Sequence, residues 1–163
     1  MESTSTDQLP ERSRAVARAL ADAGVPGRVR LLADSARTAA AAAEALGCEV
    51  GAIANSLVFT ADDGPVLLLT SGAHRVDLPA AAARLGVTGL RRATPDEVRA
   101  ATGQAIGGVA PVGHPAPVRT GVDVALAAYP EVWAAGGHPH TVFPTTFDEL
   151  VRITGGTPIS VVG

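Results

Sequence analysis

The sequence contains no lysine, so all 13 basic residues among its 163 are arginine. A single cysteine, Cys48, excludes an internal disulfide and a multi-thiolate metal centre. Aromatic residues are only 3 % of the chain, so the core has to be built from alanine, valine, leucine and isoleucine. Side chains this small let helices approach a sheet closely. No apolar run reaches the length of about 18 residues that a membrane-spanning helix needs, because arginine, glutamate or glycine breaks each alanine-rich stretch. Met1 to Pro10 is polar and acidic rather than basic-then-apolar, unlike a secretory signal, so a cytoplasmic location is the default expectation. Positive charge is not in excess either. A formal net charge of −3 argues against a protein that grips long stretches of nucleic acid, and DNA is not an expected partner. Contact with a few nucleotides at the end of an RNA stays compatible with that balance.

The length suits one domain, expected over residues 11–163 behind a loose tail at 1–10. A helix begins at Glu11, with Val16, Ala19, Leu20 and Ala23 on one face, and stops at Gly24 and Pro26. Gly27 to Leu32 alternates like a strand. Ser35 offers an N-cap for a helix from Ala36 to Leu46, ended by Gly47. Ile53 to Phe59 and Val66 to Thr70 read as a hairpin around Asp62-Asp63-Gly64. Asp77-Leu78-Pro79 opens a helix to Leu85, and Val87 to Arg92 is β-leaning. Thr94-Pro95-Asp96-Glu97 carries a capping hydroxyl, a proline at the first helical position and acids at the positive helix end. Further strands are expected around Val122–Leu126, Val132–Ala135, Thr141–Phe143 and Pro158–Val162. Thr145 or Thr146 caps a last helix through Ile153. Turns too short for crossovers join several strands, so the fold class is α/β of the α+β kind: a mixed, curved or barrel-like sheet with helices around it.

The usual templates for phosphate loops, dinucleotide binding, nucleophile elbows and zinc proteases are missing. His114, His138 and His140 sit beside glycine and proline in irregular loops. Their spacing offers no rigid ligand set, so no metal and no cofactor are expected. Gly107-Gly108-Val109-Ala110-Pro111-Val112-Gly113 is more informative. Its paired glycines allow close backbone approach to a ligand, and successive N–H groups can hold an anion or an ester oxyanion. A tight connection that needs glycine for steric reasons fits equally well. Asn55 is a polar residue within the apolar strand Ile53–Phe59. It has to find hydrogen-bond partners or face a cavity.

Taken together, Ile53-Ala-Asn-Ser-Leu-Val-Phe59, Ala101 to Gly113 and Ala134-Ala-Gly-Gly-His138 resemble the YbaK/EbsC family and the editing insertion of bacterial prolyl-tRNA synthetases. The resemblance runs from about Ala15 to Val162. It implies a trans-editing deacylase that hydrolyses the ester of mischarged aminoacyl-tRNA, acting on the acceptor end, with an aminoacyl-tRNA synthetase as a further candidate partner and no membrane. Asn55 stands where the family typically has lysine, which removes a charge and shortens the reach. The reaction centre is then expected to comprise Asn55, Gly107, Gly108 and His138. Ser56, Pro111, Gly113, His114, Gly136 and Gly137 are expected against the substrate. The competing reading is a binding module of the same fold, catalytically weak or inactive, for an amino-acid-like ligand or a tRNA acceptor end.

Overall fold

The computed structural model describes residues 9–33 and 38–163. Among these residues eight strands form one mixed sheet in the order β1-β7-β6-β2-β3-β5-β8, with β4 paired to β2 off that path. The strands are β1 (Arg30–Leu31), β2 (Ile53–Ala61), β3 (Gly64–Ser71), β4 (Arg91–Arg92), β5 (Arg119–Asp123), β6 (Val132–Ala135), β7 (Thr141–Thr145) and β8 (Thr157–Ile159). Five α-helices of the described residues surround them: α1 (Glu11–Asp22), α2 (Ala39–Leu46), α3 (Leu78–Leu85), α4 (Pro95–Thr102) and α5 (Phe147–Thr154). The β2–β3 hairpin is antiparallel, whereas β2–β6, β3–β5 and β5–β8 run parallel.

The helix ends follow local chemistry. Asp77, Thr94 and Thr146 each accept a main-chain N–H three residues ahead, and Thr94 with Glu97 closes a full capping box. Gly47, Gly86, Gly103 and Gly155 end their helices in the left-handed region. Thr38 caps α2; Ser35, the expected cap, lies outside the described residues. Three strands are shorter than expected, with only Arg30–Leu31, Arg91–Arg92 and Thr157–Ile159 finding partners. Val124–Ala128 is a 3-10 helix rather than strand, because the Asp123 carboxylate captures Ala125 N and turns the chain.

One sheet face, with Ala54, Leu67, Leu69, Val122, Val132 and Phe143, packs on α1 and α5 through Val16, Leu20 and Leu150. The other meets α3 through Phe59, Leu68 and Ala81, and α2 covers Ile53 through Ala42 and Ala43. Each fully buried leucine contributes roughly 1.5–3 kcal/mol of transfer free energy. Leu9 is 3 % exposed and belongs to the main core, so packed structure begins ahead of α1. Among the described residues no helix is long and apolar enough to cross a membrane.

Candidate active site

The site begins with a gap in the sheet. On one edge β2 pairs with β3 from Ala54 to Ala61. On the other it meets β6 only at Ile53 and Ala54, and β4 only at Phe59 and Thr60. Main-chain groups alternate in direction along a strand. The carbonyl of Val58 accepts from Ala93 N on the β4 side. Ser56, in phase with Val58, therefore turns its N–H and C=O into the gap.

That gap is a cavity of about 280 Å³. Asn55, Ser56 and Leu57 form one wall and Ile106 to Val109 the facing one. Trp133, Ala134, Ala135, His138, Thr141 and Val142 form a third, and Ala39 and Ala42 of α2 complete it. The alanines of α2 leave the space open, since a longer side chain at either position would fill it. None of the described lining residues carries a formal charge when His138 is neutral.

Two glycine loops meet here. A Cβ on Gly108 would stand 2.5 Å from the His138 carbonyl carbon and 2.7 Å from Pro139 N, so the loops approach this closely only without a side chain. Gly107 adopts φ +95°. The N–H groups of Gly107 and Gly108 make no hydrogen bond to any described residue. The loop is tied from behind by Gln104, which is buried. Its Oε1 accepts from Ala110 N at 2.6 Å, and its Nε2 donates to the Val112 carbonyl at 3.3 Å.

The second loop is held by Thr141. Its Oγ1 accepts from His138 N at 3.2 Å, donates to the His138 carbonyl at 3.0 Å and meets Ser13 Oγ at 3.0 Å. His138 Nδ1 accepts from His140 N–H at 3.1 Å. This hydrogen-bond pattern assigns the proton of the neutral imidazole to Nε2, which makes Nε2 a donor.

Asn55, Ser56, Gly107, Gly108 and His138 thus share one cavity, while other expected residues lie elsewhere. Pro111, Gly113 and His114 line a separate, open depression with Pro115, Pro117 and Ile153. Gly113, at φ +84°, lies against the Val16 backbone, and Gly137 against Val16 and the Arg12 carbonyl. Gly136 abuts Thr141 Oγ1 and Val29. Gly113 and Gly137 permit packing against α1 and Gly136 against Val29 and Thr141, and none of the three lines the cavity. His114 Nε2 donates to the Ala110 carbonyl at 2.8 Å; burial pushes its imidazole below the ordinary value, and that hydrogen bond opposes the shift. No group of three or more possible metal ligands occurs among the described residues. Thr141, Gln104 and Trp133 went unrecognised from sequence. Thr141 has no motif signal, whereas Gln104 inside a glycine-rich loop could have been suspected, because such loops need side-chain acceptors.

The profile of the aminoacyl-tRNA editing domain family matches residues 33–153. YwhH of Bacillus subtilis, an uncharacterised protein, is 32 % identical over 117 residues, covering 71 % of this chain and 74 % of its own. A solved structure of a protein proposed as a trans-editing enzyme for prolyl tRNA synthetase superposes with a TM-score of 0.88 at 46 % identity, over 94 % of this chain and 98 % of that one. The hypothetical protein APE2540 superposes with a TM-score of 0.83 at 27 % identity, over 90 % of this chain and 98 % of its own. With this cavity, these two glycine loops and a family match over most of its length, the chain belongs to the aminoacyl-tRNA editing domain family.

Proposed function

We propose that the cavity takes the aminoacyl ester at the 3′ end of a mischarged tRNA and hydrolyses it in trans. The observation that carries this reading is a pair of unpaired backbone N–H groups, at Gly107 and Gly108, on the wall of a cavity whose described lining has no cation. A free amino acid brings a carboxylate that needs a counter-charge when desolvated. An ester brings only a carbonyl, for which two N–H donors suffice.

In this scheme the N–H groups of Gly107 and Gly108 hold the ester oxygen, and the Ser56 carbonyl accepts from the substrate ammonium. Asn55 orients the ester, and His138 lines the wall beside the ribose. Water adds to the carbonyl carbon, the ester C–O bond breaks, and the proton from water ends on the ribose oxygen. No protein nucleophile is required. A cavity of about 280 Å³ that also admits the ribose edge favours a small amino acid. The likeness to the 46 % identical structure supports tRNA for proline as the carrier.

Release of amino acid from a panel of mischarged tRNAs, with enzyme far below substrate, tests the reading. Turnover on a small amino acid is the expected result. Asn55→Ala is expected to cut kcat/KM by about 10- to 100-fold while the protein stays folded, as for the loss of one or two hydrogen bonds to the substrate. Asn55 in the place of the family's usual lysine favours the binding module as the second reading. Absence of turnover across the panel by folded protein would establish that one instead.

A further inference from the structure

Arg30 is a cation beside this neutral cavity. It pairs with Val142, which pairs with Ala135. Paired residues point to the same side of a sheet, and alternate residues share a face. Trp133 is on the face of Ala135 and is paired with Ile53, and Asn55 follows Ile53 on that face. Arg30, Trp133 and Asn55 therefore look out on one side of the sheet. The Arg30 guanidinium carbon lies 5.2 Å from the centroid of the Trp133 ring, and Trp133 lines the cavity. Trp133 and Asn55 are separated by one strand spacing and two residues, on the order of 8 Å.

Arg30 Nε is buried with no hydrogen-bond partner, and Arg30 forms no ion pair with any described residue. Buried donors in native structures nearly always have partners. A guanidinium stacked on an aromatic ring with its N–H edge uncommitted is suited to a planar or tetrahedral oxyanion, phosphate above all.

We propose that Arg30, stacked on Trp133, is the phosphate-binding residue for the terminal nucleotide of the substrate, taking its 5′-phosphate while the aminoacyl ester lies at Asn55. The proposal rests on the reading of the cavity as an aminoacyl-ester site. It puts the positive charge that Asn55 lacks at the nucleotide end of the ligand, where the ligand's own charge is.

Trp133 is the only tryptophan in the chain, so its fluorescence reports on this place. Titrating the full-length protein with adenosine 5′-monophosphate, adenosine and inorganic phosphate separates the contributions. The monophosphate is expected to bind about tenfold or more tighter than adenosine, as for one charge-assisted contact, and inorganic phosphate far more weakly than the monophosphate. Arg30→Gln should abolish the preference while leaving adenosine affinity unchanged, and Arg30→Lys should restore part of it. Equal affinities in the wild type, no saturable response to the monophosphate, or inorganic phosphate binding as tightly as the monophosphate would each overturn the assignment. So would loss of adenosine binding in Arg30→Gln, which would show a packing role. None of these ligands carries an aminoacyl ester, so the titration is read independently of deacylation. An enzyme active on the panel but indifferent to the phosphate would leave the deacylase standing and remove Arg30.

Discussion

Gly108 is where a single added carbon does most damage to the site. Its Cβ would enter the backbone at His138 and Pro139, neither of which can rotate away. Gly108→Ala is expected to push the two glycine loops apart and lower turnover by about 100-fold, the cost of an ångström-scale misplacement of catalytic groups. The check is kcat/KM per mole of folded protein beside a thermal melt, which should fall far less. Asp123 matters for stability instead. It is 1 % exposed, and its carboxylate accepts from Ser71 N at 3.0 Å, His74 Nδ1 at 2.8 Å and Ala125 N at 3.0 Å. Asp123→Ala would strand two main-chain N–H groups, each costing about 1–3 kcal/mol when buried without a partner. Denaturant unfolding should show that loss. His74→Ala should cost much less, since the His74 side chain is 30 % exposed and water can replace it at the carboxylate.

Among the elements, α4 shows how charge and capping combine. Glu97 forms a two-pronged pair with Arg91 and also accepts from Thr94 N. The Arg91 guanidinium, then the Thr94 N–H, hold the Glu97 carboxyl down from 4.5 to about 2. Because the folded value is depressed, the cap's contribution is complete above about 4.5 and is lost as pH falls toward 2. Helicity of α4, followed by amide shifts of residues 95–102, should persist at pH 4 in the wild type. Glu97→Gln should weaken it at neutral pH and match the wild type near pH 2. The loop after α4 depends on one side chain. Gln104→Ala removes two hydrogen bonds and leaves Ala110 N without its acceptor, at a cost of about 1–3 kcal/mol. KM should rise with it, because the loop then no longer presents Gly107 and Gly108 in one conformation.

For the molecule as a whole, His114 sets a slope of stability with pH. Its imidazole lies below the ordinary 6.5 because burial disfavours the cation, so stability is full above about 6.5 and declines as pH falls toward the lowered value. His114→Gln should flatten that decline in melts recorded between pH 7 and pH 5. The helices and the β2–β3 hairpin were legible in sequence because caps, glycine stops and the Asp62-Asp63-Gly64 turn are local signals. The short strands were overextended because residues such as Val87 and Val161 read as β from propensity alone, while only tertiary partners decide where pairing ends. At the site, Asn55 and the two glycine loops could be found as anomalies of composition. That Gly113 and Gly137 serve α1 could not, because their neighbours Val16 and Arg12 are distant in sequence. The cavity, finally, is a seam between two parts of one sheet. Ser56 is at the middle of a strand whose neighbours are protected, yet its own amide faces the seam. Its hydrogen should exchange with deuterium faster than those of Leu67 to Leu69 across the hairpin, and slow when a ligand occupies the cavity, turning one amide into a gauge of occupancy.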